Sequence, residues 1–404
     1  MRAEIASPLR ETAAGATAES VLRACVHCGM CSAACPTYRL TGDELDGPRG
    51  RIYLMKQALE GEPVGPLSQE HLDRCLACRA CESACPSGVE YHRLLDVGRP
   101  LVAERGGRSG LGRMRRAILR HVVLAPFHFR ALLDLGRLFR FALPGTLAEK
   151  VPPEVAAGPW PPAGHNRRML VLGGCVQSDA APHFNAALAR VFDHVGIALE
   201  SRPGCCGALS FHLEAAAEAR QLARGHIDAW IAALDAGAEA IVVSASGCAA
   251  FVRDWPDLMA EEPAYAEKAR RIVAALKDPV EVLGENPLNP ARTPARPRVA
   301  VHDPCTLRNG PGLGGAVEAL LASLGYEPQP VTEADQCCGS AGAYSLLQPD
   351  FAGRLRTRKI AALTAASPET IVTANIGCWM HLAPASPVPV RHWIEAVDDL
   401  ISLP

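Results

Sequence analysis

Cysteines spaced for iron–sulfur binding are the most informative feature of the sequence. Two runs share the pattern Cys-x2-Cys-x2-Cys-x3-Cys-Pro and begin 50 residues apart. The first run contains Cys25, Cys28, Cys31 and Cys35, and the second contains Cys75, Cys78, Cys81 and Cys85. Three thiolates two residues apart can each bind a different iron of one compact cluster, whereas the fourth, held by a Cys-Pro segment, points towards a neighbouring cluster.

This local reach predicts that the two runs exchange their fourth cysteines. One [4Fe–4S] cluster is then expected on Cys25, Cys28, Cys31 and Cys85, and the other on Cys75, Cys78, Cys81 and Cys35. Zinc binding and reduced structural cysteines are the alternative interpretations. Zinc sites use two CxxC pairs in a closed tetrahedron, which leaves no role for the third cysteine or the Cys-Pro segment. The repeated pattern therefore favours two cubane clusters.

Length and composition restrict the class of protein. The chain has 404 residues, of which 49% are apolar and 21% are charged, and this size is typical of two or three domains. The composition excludes collagen, a disordered tail and a coiled coil. The net charge of −2 lacks the basic footprint of a nucleic-acid-binding protein.

The distribution of apolar residues and cysteines predicts a cytoplasmic location. Residues 1–20 contain no apolar segment of the kind found in secretory signals, and no run of about 18 apolar residues occurs. The sixteen cysteines are clustered in a long chain, unlike those of small secreted disulfide scaffolds. In a reducing compartment, cysteines spaced in this way are expected to bind metal.

The residues around the two runs predict a helical domain. Residues 51–60 carry apolar side chains at helical spacing and are followed by Gly61, a helix stop. Shorter helices are expected at 72–80 and 89–97. Residues 1–100 are therefore predicted to form a helical ferredoxin-like domain.

A basic connector is predicted at residues 101–166. Its segment 105–140 contains nine arginines and one acid, Asp134, and carries two apolar stripes at helical spacing. These stripes predict an amphipathic helical hairpin packed on a neighbour, with arginine in solvent. The alternative is a docking surface for an acidic partner subunit or for anionic lipid headgroups. Residues 150–166, rich in Pro and Gly, are expected to be the domain linker.

The rest of the chain contains one pattern twice. Each copy has a cysteine after a strand, a Cys-Cys-Gly turn, and a cysteine after a second strand. The cysteines are Cys175, Cys205, Cys206 and Cys248 in the first copy, and Cys305, Cys337, Cys338 and Cys378 in the second. The strands are expected at 168–172, 240–244, 298–302 and 370–373, with helices such as 214–234 and 316–324 between them. This alternation predicts two similar α/β modules, 167–284 and 297–404, with mainly parallel sheets.

The cysteines of these modules lie where open α/β sheets place ligands, just beyond strand ends. Glycine in each Cys-Cys-Gly turn can adopt positive φ and allow a close backbone approach to a bound group. Buried, unreactive cysteine is the alternative interpretation. The spacing leaves open whether these eight thiols bind an iron–sulfur centre or only one another.

Two other motifs carry weaker signals. Residues 310–315 satisfy GxGxxG, but Pro311 is unusual in a phosphate-binding turn, so a small-residue loop is favoured. His302-Asp303 is expected to be a strand terminus, because no nucleophile motif accompanies it. His381 is a candidate ligand or hydrogen-bond donor beside Cys378. No catalytic residue is predicted in this chain.

The whole set of motifs resembles the iron–sulfur subunits of bacterial glycolate oxidase (glycolate dehydrogenase). The resemblance covers nearly the whole chain and includes residues 41–61, 374–378 and 390–393 as well as both Cys-Cys-Gly modules. A wider group includes the cysteine-rich subunit of heterodisulfide reductase, a lactate-utilisation protein and the third subunit of anaerobic glycerol-3-phosphate dehydrogenase. The fullest Cys-Cys-Gly motif ends in Cys-x-x-Cys, and here Ala245 and Asn375 replace the first of those cysteines. Four thiols per module argue against the non-cubane clusters of the heterodisulfide reductase relatives.

The resemblance implies an α+β multidomain protein with an electron-transfer role. A separate subunit containing FAD would oxidise glycolate to glyoxylate, and this chain would relay electrons towards a quinone-type acceptor. Two [4Fe–4S] clusters are implied, with a further centre in the Cys-Cys-Gly modules as an additional expectation. Peripheral contact with the cytoplasmic face of the inner membrane is expected from the arginine-rich residues 105–140 themselves. The alternatives are the equivalent subunit of a lactate or glycerol-3-phosphate dehydrogenase complex, or a thiol–disulfide subunit like that of heterodisulfide reductase.

Overall fold

The computed structural model describes residues 1–106, 108–289 and 296–401, without the side chains of residues 126 and 146. Residue 107 of the predicted connector and residues 402–404 of the predicted second module lie outside this part of the chain. The described residues form helices and short parallel strands, together with the 3-10 turns Leu9–Glu11, Glu44–Asp46, Arg140–Ala142 and Ala383–Ala385.

The α-helices are numbered α1 to α24 in chain order. They span Ala13–Ala24, Met30–Ala34, Pro36–Thr41, Pro48–Leu59, Pro66–Asp73, Ala80–Ser83, Tyr91–Arg105, Gly110–Leu124, Pro126–Leu138, Gly145–Ala148, Gln177–Ala180, Pro182–His194, Ala208–His212, Ala216–Asp235, Ser246–Arg253, Trp255–Leu258, Pro263–Ala275, Pro279–Glu285, Cys305–Arg308, Ala316–Ser323, Tyr344–Leu347, Pro349–Thr364, Ile376–Leu382 and Trp393–Ile401. The strands β1 to β8 span Arg167–Leu172, Ile197–Arg202, Ala240–Val242, Leu276–Lys277, Arg298–His302, Glu327–Pro328, Thr370–Thr373 and Val390–His392.

The chain divides into two compact units. The first unit contains Met1–Ala117 and Asp335–Lys359, and the second contains Ile118–Ala334 and Ile360–Pro404. The Cys-Cys-Gly turn of the second copy, with Cys337 and Cys338, therefore belongs to the first unit. The predicted second module, 297–404, is therefore divided between the two compact units.

The N-terminal part of the first unit is helical, as the sequence predicts. Helices α1, α4 and α7 pack around a core in which Leu22, Met55 and Leu94 are fully buried. Helix α4 corresponds to the helix predicted at 51–60 and begins three residues earlier, where Pro48 fits the first turn. Gly61, with φ of +89°, follows its end. This core fixes the positions of the loops on either side of it.

The helix predicted at 72–80 is wrong for most of its length. Helix α5 ends at Asp73, and residues 75–79 form an irregular loop before α6 begins at Ala80. Positive φ values at Ala77 and Arg79 interrupt the helix there. The helix predicted at 89–97 exists as α7, which begins two residues later and continues to Arg105.

The second unit contains two four-stranded sheets with equivalent topology. Their strand orders are β2-β1-β3-β4 and β6-β5-β7-β8, and every pair is parallel. The four predicted strands correspond to β1, β3, β5 and β7, although β3 ends at Val242 rather than at 244. Strands β2, β4, β6 and β8 are not predicted by the sequence pattern. Two of these have only two residues, too few to show a periodic pattern.

The two sheets of the second unit share one hydrophobic core. Val171 of β1, Val301 of β5 and Trp393 of α24 belong to the same cluster of buried residues. The backbone N–H of Ser246 donates to the carbonyl oxygen of Ala374 at 3.2 Å, which joins the ends of the two copies directly. These parts of the repeat therefore form one body within this unit.

The connector forms the two predicted helices, α8 and α9, but their apolar faces are not packed. Leu111, Met114 and Ile118 of α8 are each more than half exposed. Arg116 is buried instead and pairs with Asp73 at 3.0 Å. The prediction of a packed apolar stripe is therefore wrong for α8, whereas Arg113 and Arg115 of this helix are in solvent as predicted. Among the described residues, no helix combines the length and apolar character needed to cross a bilayer.

Candidate iron–sulfur site

The first three cysteines of each run are positioned by a loop with repeated geometry. The loop between α1 and α2 has positive φ at His27 (58°) and Gly29 (84°). The loop between α5 and α6 has positive φ at the equivalent residues, Ala77 (51°) and Arg79 (58°). A non-glycine residue in this region costs about 1 to 2 kcal/mol, so packed helices must hold the loops in place. Cys28 lies between the two left-handed residues of the first loop, and Cys78 lies between those of the second.

One cavity brings together three cysteines of the first run and the fourth of the second. Its wall contains Cys25, Cys28, Cys31 and Cys85. Burial, assisted by the neighbouring thiols of Cys25, Cys85 and Cys28, raises the pKa of Cys31 to about 11. This is the set of four that the spacing predicts for one cluster.

A second cavity brings together the other four cysteines. Its wall contains Cys35, Cys75, Cys78 and Cys81. Burial raises the pKa of Cys81 well above its usual value, and the thiols of Cys78, Cys75 and Cys35 act in the same direction. Cys81 and Tyr91 also line the first cavity, so the two cavities adjoin.

The donor sets fit [4Fe–4S] clusters. Each cavity offers four cysteine sulfurs, the complement that such a cluster requires. All sixteen cysteines lie in the described part of the chain and none forms a disulfide. The raised pKa of Cys31 and of Cys81, caused by burial and by neighbouring thiols, means that metal binding would displace protons from these groups.

Polar groups that the sequence analysis missed contact the sulfurs of the second cavity. The guanidinium of Arg51 donates to Cys35 Sγ at 3.9 Å, and the Tyr91 hydroxyl donates to Cys75 Sγ at 3.8 Å. The Thr37 hydroxyl is hydrogen-bonded to Cys35 Sγ at 3.3 Å. The sequence could have indicated that Arg51 faces the core, because it lies four residues before the apolar Met55 and therefore on the same helix face.

The segment 335–359 of the first unit brings another pair of cysteines near the second cavity. The Tyr344 hydroxyl donates to the carbonyl oxygen of Arg74 at 3.1 Å. Burial raises the pKa of Tyr344 far above its usual value, and the thiols of both Cys75 and Cys337 add to the shift. Tyr344 is therefore close to the second run and to the Cys-Cys-Gly turn.

The first Cys-Cys-Gly module brings its four cysteines together. Cys205 is hydrogen-bonded to Cys175 and to Cys206, and Cys206 is hydrogen-bonded to Cys248. Hydrogen bonds from Cys175 and Cys206 and from the Gly207 N–H lower the pKa of Cys205. The thiolate favoured at this position suits metal binding or thiol chemistry.

His226 supports the first Cys-Cys-Gly module and was not predicted. It lies near Cys205 and stacks on Trp255, with ring centroids 6.2 Å apart. Burial lowers the pKa of His226, although Cys205 opposes the shift. A helix of mixed composition around His226 offers no pattern that would have identified it.

In the second copy, Cys305 begins α19 and Cys378 lies buried in α23. Asn375 Nδ2 donates to Cys378 Sγ at 3.7 Å. Asn375 stands where the fullest motif has a cysteine, so its amide supports a thiol rather than supplying one. Ala245, at the equivalent position of the first copy, has no side-chain donor.

The GxGxxG loop at 310–315 is structural, as the sequence predicts. The N–H of Gly315 donates to Asp303 Oδ2 at 2.7 Å, so a protein carboxylate occupies the position of a phosphate in the GxGxxG loop. Arg308 pairs with the same carboxylate at 3.3 Å. His302 is the last residue of β5, and His381 is buried in α23.

The glycines of the two Cys-Cys-Gly turns are required by protein packing. Gly207 and Gly339 have φ of +92° and +91°. A Cβ at Gly339 would lie 2.8 Å from the carbonyl oxygen of Ala352 and 2.9 Å from Leu355 Cβ. A neighbouring helix, in addition to any bound group, therefore excludes a side chain here.

The exchange of fourth cysteines has a direct spectroscopic consequence. We expect Cys28→Ser and Cys85→Ser to remove the same cluster signal in electron paramagnetic resonance (EPR) spectra of the reduced protein. Cys78→Ser and Cys35→Ser should remove the other signal, because each pair faces one cavity. Loss of the same signal in Cys28→Ser and Cys35→Ser would show instead that each run binds its own cluster.

The close packing at Gly339 predicts an asymmetric response to alanine. Gly339→Ala should lower the free energy of unfolding by about 1 to 3 kcal/mol more than Gly342→Ala, because only the first introduces a steric clash. Both positions have positive φ, but a Cβ at Gly342 meets no atom within 4 Å. Guanidinium chloride denaturation of both variants measures this difference, and equal losses would contradict the packing argument.

Comparison with known proteins identifies both cysteine-rich regions. Residues 21–89 match the family described as 4Fe-4S dicluster domain. Residues 169–253 and 299–383 each match the family described as cysteine-rich domain. The second match includes residues of both compact units, since the turn at Cys337 and Cys338 belongs to the first.

Two relatives are similar over almost their full length. The glycolate oxidase iron-sulfur subunit of Escherichia coli (strain K12) is 49% identical over 404 residues, which covers 99% of each chain. A probable glycolate oxidase iron-sulfur subunit of Bacillus subtilis (strain 168) is 31% identical over 90% of this chain and 89% of that protein. Lactate utilization protein A of an Exiguobacterium species is 22% identical over 56% of this chain and 94% of its own length.

The full-length similarity and the grouping of cysteines agree with the resemblance found in the sequence. Both family matches cover the regions that hold the sixteen cysteines. The arrangement is that of an electron-transfer component of an oxidoreductase. The chain belongs to the family of glycolate oxidase iron–sulfur subunits.

Proposed function

We propose that this chain carries electrons singly from a flavin-containing partner subunit, which oxidises glycolate to glyoxylate, towards a quinone-type acceptor. The observation that carries the proposal is the grouping of eight thiols into two adjoining sets of four. The names of the two full-length relatives support glycolate as the substrate of the assembly.

The proposed ligands follow the two cavities. Cys25, Cys28, Cys31 and Cys85 would hold one [4Fe–4S] cluster, and Cys35, Cys75, Cys78 and Cys81 would hold the other. When bound, such clusters accept and release one electron at a time. The protein's contribution is to bury the sulfurs, to set their spacing and to place charged and hydrogen-bonding groups beside them.

Electron balance explains why such a chain is needed. Oxidation of glycolate to glyoxylate releases two electrons and two protons, which a flavin accepts together. A quinone takes up two electrons and two protons to become a quinol. A relay of single-electron carriers connects these two reactions over a distance, without itself touching the substrate.

The Cys-Cys-Gly cysteines are the proposed position of a further centre. The four neighbouring thiols of Cys175, Cys205, Cys206 and Cys248, of which Cys205 and Cys206 are buried, fit a cluster as a donor set. In the first unit, Tyr344 lies near both Cys75 and Cys337. This proximity supports an electron route from the second cavity towards the Cys-Cys-Gly turn of the second copy, which contains Cys337.

The proposal predicts a specific defect in Cys28→Ser. In the complex purified with its flavin subunits, this variant should lose glycolate-driven reduction of a quinone analogue, because one carrier of the relay is missing. Flavin content and the bleaching of flavin by glycolate should remain, since the substrate reaction takes place in the partner. Anaerobic quinone-reduction assays and flavin absorbance measure the two effects.

Val26→Ser is the matched control, because Val26 lies in the same loop and is 69% exposed. This variant should retain full turnover. Unchanged quinone reduction in Cys28→Ser would refute the relay. Turnover of lactate and not of glycolate by the intact complex would assign the chain to a lactate dehydrogenase complex instead.

A further inference from the structure

Helix α8 presents its apolar side to solvent. Leu111, Met114 and Ile118 lie on one side and are 63%, 53% and 53% exposed. Arg116, on another side, is buried and pairs with Asp73, and Arg120 pairs with Glu218 at 3.5 Å. A soluble amphipathic helix normally has the opposite orientation, with its apolar stripe against the core.

Helix α9 has the same unusual exposure. Its outward side chains are 53% to 81% exposed, and they are Phe127, Leu132, Leu135 and Leu138. Leu133 is buried on another side, and Arg137 is directed to the carbonyl oxygen of Pro152 at 3.2 Å. Just after α9, the Phe141 ring is 86% exposed.

This exposure is concentrated in one stretch of the chain. Of the seventeen large apolar side chains that are exposed in the described residues, ten lie between Leu111 and Leu147. Single exposed apolar residues are normal in soluble proteins, but a concentration of this kind marks a contact surface.

The charges of the same stretch indicate what contacts it. Four exposed arginines accompany the apolar side chains, namely Arg113, Arg115, Arg130 and Arg140. Residues 105–140 contain nine arginines and a single acid. Leucine and phenylalanine buried at the acyl boundary, with arginine at the phosphate level, are typical of helices that lie in a bilayer surface.

We propose that α8 and α9 attach the chain to the surface of an anionic lipid bilayer. The apolar side chains enter the headgroup region and the exposed arginines contact lipid phosphates. This inference does not depend on the substrate of the partner subunit or on the cluster ligands. It assigns a membrane-contact surface to residues whose amphipathic pattern is directed away from the protein.

Vesicle flotation of the full, anaerobically purified chain tests the attachment. The chain should float with phosphatidylglycerol vesicles and remain behind with phosphatidylcholine vesicles. Phe127→Glu combined with Leu138→Glu should abolish flotation, because both exposed apolar side chains become charged. Arg130→Ala and Arg140→Ala should each lower the partition coefficient about fivefold.

Leu67→Glu is the matched control, since Leu67 is 70% exposed on the different helix α5. It should float like the native chain. Absence of flotation for the native chain would overturn the proposal. The proposal would also be overturned if the Phe127→Glu/Leu138→Glu variant still floated and no longer copurified with its flavin subunits. That result would identify the surface as a protein interface. Cluster absorbance verifies folding of every variant.

A second inference concerns Arg51, which lies buried beside the second cavity. Its side chain is 2% exposed, and its Nε donates to the carbonyl oxygen of His71 at 2.8 Å. Asp46 is 3.7 Å away and Cys35 Sγ is 3.9 Å away. The guanidinium keeps its positive charge in this buried position, because arginine is not deprotonated in proteins.

The first cavity has a different cation, Arg49, which is exposed. Its side chain is 36% exposed and its Nε pairs with Glu44 at 2.6 Å. Arg49 is near Cys31, but solvent and the Glu44 carboxylate screen its charge. The two residues are separated by one glycine in the sequence, yet they give the two cavities different electrostatic surroundings.

We infer that Arg51 is a positioning and potential-setting residue that makes the cluster on Cys35, Cys75, Cys78 and Cys81 the more easily reduced of the two. A buried positive charge stabilises the electron added on reduction, and the low local dielectric enlarges this effect. The inference rests on the proposed ligand sets. Electrons would therefore reside preferentially near Cys75 and Tyr344.

Redox titrations followed by EPR test this inference in the Cys28→Ser background, in which only the second cluster remains. Arg51→Gln should lower the midpoint potential of the second cluster. Arg51→Lys keeps the positive charge and should recover most of the native potential. Arg49→Gln is the matched control and should leave this potential unchanged. Tyr91→Phe removes the Cys75 donor and provides a smaller shift in the same direction without removing a charge.

An unchanged potential in Arg51→Gln with intact signal would overturn the inference. Arg51→Gln could fail to assemble its cluster, and two other measurements then decide. An unchanged potential in Tyr91→Phe, together with a native second cluster whose potential is lower than that of the first, would refute the inference. Absence of both cluster signals in the native chain would refute the proposed function itself. The two failures are therefore distinguishable.

Discussion

The structure depends on one constraint, which is that two loops 50 residues apart must direct eight thiols into two adjoining cavities. Each loop holds residues at positive φ, a conformation that short chain segments do not maintain alone. The packed helices α1, α4 and α7 supply the rigid support. Burial of the sulfurs, and the raised pKa of Cys31 and Cys81 that burial causes, follow from the same support.

Charge is the property that distinguishes the two cavities. Arg51 is buried among Asp46, His71 and the second set of thiols, whereas Arg49 reaches solvent beside Glu44. Removal of Arg51 leaves Asp46 with His71 at 2.8 Å and Arg74 at 3.1 Å, so the carboxylate keeps partners. Identical ligand types can thus carry electrons at different potentials, because the surroundings of the sulfurs differ.

The sequence predicts much of this arrangement because its signals are local. Cysteine spacing predicts both sets of four thiols, and apolar runs predict the central strands β1, β3, β5 and β7. The helix expected at 72–80 failed because the ligand loop overrides helical spacing. The orientation of α8 failed because periodicity shows that a helix has an apolar side but not what covers it. Contacts of Arg51, His226 and Tyr344 depend on tertiary packing, which no spacing rule describes.

The most direct test of the account is the metal content of the chain after strictly anaerobic purification. Iron, acid-labile sulfide and zinc should be measured together on the same sample. Two filled cavities predict about eight irons and about eight sulfides per chain, with more if a Cys-Cys-Gly module also holds a cluster, and no zinc. Stoichiometric zinc without iron would contradict both the ligand sets and the electron-transfer role.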